Sequence, residues 1–182
     1  MNQLEEMYMQ YTHKNKFREE SHKNLHQRNV VILGLMIYQA IHSGELKRIE
    51  TSDINLVESK IYIPSTARSN SREIKLQANQ IIPLHIYLNE TRERLQPKEQ
   101  YLINGNTHNI RSWLIKDLIK TNPQLRNAQQ IRASVFMHWL KLHGIRKVQY
   151  LCGHKHISST EQYREQDLEG LQKQLMKYHP FS

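Results

Sequence analysis

The stretch from Gln129 to Tyr163, QQIRASVFMHWLKLHGIRKVQYLCGHKHISSTEQY, gathers the residue types best suited to chemistry. Gln129 and Arg132 lie three residues apart in a segment of helical rhythm, so both project from one face. That face is distinct from the apolar stripe of Ile131, Val135, Trp139 and Leu142. A guanidinium presents a rigid fork that donates two hydrogen bonds to an oxyanion such as phosphate. A short helix then delivers Leu151, Gly153 and His154, and an imidazole can carry protons near neutral pH. Tyr163 follows nine residues after His154. Singly, each residue has an ordinary reading. A lone tyrosine among nine is usually structural, Arg132 alone would be a surface arginine, and His154 alone would cap a helix. His138 and His156 read as surface or packing residues. The eleven histidines invite a metal site, yet there is no HExxH and no Cys–His pairing at metal-ligand spacing. No metal and no cofactor is expected.

These residues need elements to hold them. Leu4, Met7, Tyr8 and Tyr11 repeat at helical spacing and predict a helix over residues 1–12. Residues 13–28 are polar and mostly basic, and read as a linker, a loop or a solvated helical turn. Asn29 precedes VVILGLMIYQAIH, apolar nearly all round and therefore expected at the centre of the core. Gly44 breaks that helix, and Glu45–Ile49 reads as a short second one. The period then changes. Segments 55–57, 60–63 and 72–76 are short and rich in Ile, Val and Tyr, with the turn formers PSTARSNS before the last. They predict a small antiparallel sheet with an exposed hairpin at residues 64–71. Helical rhythm returns at 80–95, 110–119, 131–142, 145–151 and 162–178. The expected fold class is α+β, mainly helical, with a three-stranded sheet: an N-terminal helix and polar linker over residues 1–28, then one domain over 29–182.

Composition narrows the class of partner. The 182 residues carry 26 Lys+Arg against 17 Asp+Glu, a formal charge of +9, which favours a polyanionic partner, and nucleic acid is the usual one. Cys152 is the single cysteine, so no internal disulfide can form. The longest apolar run, Val30 to Ile37, is too short to span a membrane, and the N-terminus lacks a signal pattern. The expected location is the cytoplasm, with the nucleoid if the source is bacterial.

The ordered set Arg132, Gly144, Leu151, Gly153, His154, Ser158-Ser159-Thr160 and Tyr163 resembles the catalytic domain of the tyrosine site-specific recombinases, the phage-integrase type. RNVVILGLMIYQAIHSGELKRIETSDINL resembles that family's first conserved box. IYIPSTARSNSREIKL resembles its lysine-bearing hairpin, and LQKQLMKYHP its C-terminal tail. The resemblance runs from about Asn29 to Pro180. It implies a DNA strand-exchange enzyme in which Tyr163 attacks a phosphate, while Arg132, His154, Gln129 and His42 surround it. It also implies that Arg68, Arg72, Arg111, Arg146 and Lys147 contact the DNA backbone. The family usually carries a separate N-terminal clamp, so the chain is expected to be a fragment or a single-domain variant with weak affinity. Leu168, Leu171 and Leu175 form a helical apolar strip suited to packing on this core or on a neighbouring copy.

Three positions depart from the family pattern. His42 stands where the first arginine belongs, Gln129 where the histidine of His-x-x-Arg belongs, and Ala67-Arg68 where the hairpin lysine belongs. Lys75 lies toward the hairpin's far end, and Arg48, six residues past His42, should point elsewhere. Losing one preorganised donor to a transition-state oxyanion costs roughly 2.7–4 kcal/mol. Two readings follow: an active variant recombinase, or a relative that binds DNA without cutting, as a regulator or accessory subunit. A plain helix-turn-helix regulator built on residues 129–151 is a third, but it leaves the hairpin and the spacing from His154 to Tyr163 unexplained.

Overall fold

The computed structural model describes residues 1–14, 19–95, 100–103 and 105–164. Helix α1, Asn2–Thr12, lays Met7, Tyr8 and Tyr11 into the core. Helix α2, Glu20–Tyr38, begins well before Asn29, so residues 20–28 form its partly exposed first turns, in keeping with the helical alternative for this stretch. Its second half is buried without interruption from Val30 to Tyr38, as an all-round apolar helix must be. At about 25 cal/mol per Å² of apolar surface removed from water, this helix is the main anchor of the fold.

Helix α3 is a single turn, Ser43–Leu46, shorter than the Glu45–Ile49 segment expected. Strands β1 (Ile54–Asn55), β2 (Lys60–Ile63) and β3 (Arg72–Lys75) form an antiparallel sheet in the order β1-β2-β3. Ile61 faces Ile74 and Ile63 faces Arg72 across β2 and β3. Strand β1 is displaced from the expected 55–57, and Val57 is 97% exposed.

Helix α4, Ala78–Ile86, continues through a wide turn at Tyr87–Thr91 into α5, Arg92–Leu95. Pro83 has no N–H to give the carbonyl four residues back. That carbonyl, of Asn79, instead accepts the Tyr8 hydroxyl at 3.5 Å. Gln39 and Gln80 exchange two buried hydrogen bonds of 3.0 and 2.9 Å, joining the end of α2 to the start of α4. Gln39 also donates to the Lys75 carbonyl, which fixes β3 against α2.

Helices α6 (Thr107–Thr121), α7 (Ala128–Leu142) and α8 (Ile145–Cys152) complete the described core. Asn106 and Asn127 cap α6 and α7 through their side-chain oxygens. The expected stripe on α7 holds at Ile131, Val135 and Trp139, but Leu142 is 60% exposed and Phe136 is buried instead. Residues 158–164 are helical. Most of the helix expected at 162–178, including Leu168, Leu171 and Leu175, lies outside the described residues. Among the described residues no helix is long and apolar enough to cross a membrane.

Candidate active site

The site is built around one buried carboxylate. Glu45 on α3 is fully buried and accepts a 2.6 Å hydrogen bond from Arg72 Nη1, itself fully buried. It also accepts the His42 backbone N–H at 3.1 Å, and Arg132 Nη1 stands 3.8 Å away. Burial is the strongest influence on Glu45 and would raise its pKa, but Arg72, Arg132 and His42 together pull it below the ordinary value. The carboxylate is therefore ionised and ties β3, α3 and α7 to one point.

The resemblance places Arg72 on the DNA backbone, and the structure corrects this: Arg72 is buried against Glu45. Strand β3 alternates, so Arg72 shares the inward face with Ile74 while Glu73 and Lys75 face out. An inward arginine needs an anion, and Glu45 supplies it. Gly153 closes the arrangement from the other side. It ends α8 with φ +69°, a backbone that L side chains rarely adopt. A Cβ at Gly153 would meet Arg72 Nη1 at 2.5 Å and the Asn70 carbonyl at 3.0 Å. The glycine next to His154 is thus required twice over.

The hairpin turn holds the His154 segment. Thr66 and Ser69 close the turn through side-chain and backbone hydrogen bonds. Asn70 N–H donates to the Gly153 carbonyl at 2.8 Å, and Ser69 pairs with His154 as an isolated bridge. Tyr150 on α8 exchanges hydrogen bonds with both backbone groups of Glu73. Hairpin and recognition-like helices are one unit, which a helix-turn-helix reading had left apart.

Five positions from three separate segments of the sequence line one cleft of about 320 Å³: His42, Gln129, Arg132, His154 and Tyr163. Arg132 is 19% exposed, donates to the Cys152 carbonyl at 3.2 Å and lies 4.9 Å over the Phe136 ring. Phe136 stands edge-on to both His154 and Tyr163, each at 5.1 Å, and those two rings lie nearly parallel at 6.1 Å. His154 Nδ1 shares a 2.9 Å hydrogen bond with the buried Thr160 hydroxyl. Burial first, then Arg132 and Arg72, depress the His154 pKa to about 4.

His42 behaves alike. Its Nδ1 accepts the Gly44 N–H at 3.0 Å, so the ring proton sits on Nε2. Burial lowers its pKa to about 4 against the opposing pull of Glu45, with Arg132, Arg72 and Arg111 adding to the depression. Both histidines are neutral donors or acceptors at pH 7, and the charge of the cleft comes from arginine. Cys152 is fully buried, its thiol pushed up to about 12 mainly by that burial. It is inert.

Of the other expected DNA contacts, Arg68 at the hairpin tip, Arg146 and Lys147 are exposed, and Arg111 lines the cleft. Arg48 points away to the Ser65 carbonyl, as anticipated. Lys75 faces outward, and no lysine lines the cleft among the described residues. Among those residues no three of His, Cys, Asp and Glu converge as a metal site. Sequence reasoning missed Glu45, Phe136 and Thr160 as parts of the site. The phase of Arg72, which alternates onto the same face as Ile74 and Leu76, was the signal that a buried anion had to exist.

A model of the phage integrase family matches residues 3–169. Among solved structures, XerA recombinase is 23% identical with a TM-score of 0.67, covering 91% of this chain and 65% of its own. XerH site-specific recombinase, bound to a palindromic difH substrate after cleavage, is 20% identical with a TM-score of 0.74, covering 94% and 50%. A lambda integrase dimer on a core site is 13% identical with a TM-score of 0.57, covering 89% and 57%. The chain thus spans about half to two thirds of these structures. No curated protein sequence matches it.

Proposed function

The chain belongs to the phage integrase family, and from that premise we propose that it breaks and rejoins double-stranded DNA as a site-specific recombinase. The observation that carries this reading is the convergence of Tyr163, Arg132, His154, Gln129 and His42 on one cleft. Tyr163 Oη attacks a DNA phosphorus in line and the bond to the 5′-oxygen breaks. The phosphate is left on tyrosine as a 3′-phosphotyrosyl ester, the tyrosyl proton is lost, and the departing oxygen takes up a proton to become a 5′-hydroxyl. Phosphoryl transfer of this kind depends on positioning and charge stabilisation more than on covalent help. Arg132 holds non-bridging oxygens with its fork. Neutral His154, His42 through Nε2–H and Gln129 add hydrogen bonds that carry no charge of their own. The energy of the ester is retained in the phosphotyrosyl bond, so the reverse attack rejoins the strand.

Arg68, Arg146 and Lys147 are assigned to the DNA backbone outside the cleft, where binding should weaken steeply with salt. Copies associate on DNA through the helix read at residues 162–178, whose strip of Leu168, Leu171 and Leu175 supports the assignment. The protein works in the cytoplasm, at the nucleoid in a bacterial host.

The test is covalent trapping. The protein is incubated with a pool of nicked suicide duplexes of randomised sequence and separated in SDS. A covalent protein–DNA adduct is expected with the native chain and none with Tyr163→Phe. Tight DNA binding without any adduct would sink the enzyme reading.

A further inference from the structure

The departures at positions 42 and 67–68 leave the cleft short of cations. Arg132 shares its charge with Glu45, 3.8 Å away, and commits Nη2 to the Cys152 carbonyl. Arg72 is fully buried and bound to Glu45, with Gly153 packed against it. His42 is a helix cap with its proton on Nε2. A phosphorane builds negative charge on its equatorial oxygens as the tyrosine attacks. One partly neutralised guanidinium is a poor match for that charge.

Arg111 is the remaining cation on the lining. The first turn of α6 is fastened beside α3: Asn106 caps the helix, and the buried Thr107 hydroxyl donates to the Ser43 carbonyl at 3.4 Å. Arg111 stands four residues after Thr107, hence on the same face one turn on. Thr107, Ile110 and Leu114 are buried beside it, while Arg111 is half-buried at the cleft edge. Among the described residues it makes no hydrogen bond and no ion pair. A half-buried guanidinium without a partner among the described residues, on the same cleft as the tyrosine, is available to an incoming anion. Resting on the recombinase reading above, we propose that Arg111 is the second guanidinium on the scissile phosphate, in the charge role that an arginine at position 42 would fill.

The experiment uses the full chain and a duplex recovered from the trapping pool. The rate of adduct formation is read at saturating protein. Arg111→Ala is expected to slow it by about 100-fold, the usual effect of losing one donor to the transition state. Arg111→Lys, which keeps the charge and loses the fork, should slow it by about 10-fold. Lys116→Ala, exposed on the same helix, should stay within about threefold, since a surface change away from the site alters little. The decisive readout is a methylphosphonate at the scissile position, which removes the charge that the guanidinium balances. On that substrate the gap between native protein and Arg111→Ala should narrow to about fivefold or less. A purely structural defect would leave the gap unchanged, and an unchanged gap overturns the assignment. So does an Arg111→Ala rate within about threefold of native on ordinary DNA. If the native chain forms no adduct at all, the recombinase reading fails and this assignment with it; adducts indifferent to Arg111 sink only the latter.

Discussion

On one wall of the cleft, Arg132, His154 and Tyr163 are held by Phe136, Thr160, Gly153 and a hairpin stitched to α8. On the other, His42 rests on a one-turn helix and Arg111 has no partner among the described residues. On the first wall Arg132, His154 and Tyr163 keep the family's residue types, while Gln129 and the hairpin's Ala67-Arg68 depart; on the second His42 departs. Glu45 joins the walls, and the difference shows what such a site tolerates. Residues whose removal strands a buried charge or forces a backbone clash resist change. Groups that meet only substrate can be traded for another donor on a neighbouring element, provided charge and reach are preserved.

Breaking the junction between the walls should have the largest effect. Glu45→Ala leaves Arg72 charged in the core and should cost about 3–5 kcal/mol in chemical denaturation. Glu45→Leu with Arg72→Met should recover most of that loss. A double variant as unstable as the single would show that Arg72 does not depend on Glu45.

The missing lysine gives the next prediction. With no lysine on the described lining, the proposed reaction predicts that protonation of the leaving 5′-oxygen is the poorly served step. A 5′-bridging sulfur, which leaves without a proton, should speed adduct formation by about 100-fold. Equal rates for oxygen and sulfur would place an efficient acid in the cleft.

The proposed trade between positions 42 and 111 can be run backwards. In an Arg111→Ala background, His42→Arg should restore about 10-fold in adduct rate, despite losing a cap worth about 1 kcal/mol. No recovery would mean that position 42 no longer reaches the phosphate.

The smallest effect concerns pH. His42 and His154 have folded-state values near 4, below the ordinary 6.5. Between those values the unfolded chain binds protons that the fold refuses. Their contribution is therefore fully present above pH 6.5 and is lost as pH falls toward 4. His42→Asn keeps a good cap and removes one titrating ring, so Tm should fall less steeply over that window. Parallel Tm profiles would show that His42 titrates normally in the fold.

Much of this was legible from residue order alone. Apolar periodicity located α1, the buried half of α2 and the inward face of α7, because burying a helix requires that spacing. Turn formers located the hairpin, and the interval from Gly153-His154 to Tyr163 marked a segment whose His154 and Tyr163 line one cleft. The early start of α2 was not legible, because its polar first turns carry no apolar signal. Tertiary structure alone decided the partners. Whether an arginine meets solvent or a carboxylate depends on residues distant in sequence, as Arg72 and Glu45 are, 27 positions apart. Whether a histidine is charged depends on the burial and the guanidinium groups around it, as at His42. Local sequence sets which face a side chain takes; only the packed fold sets what that face meets.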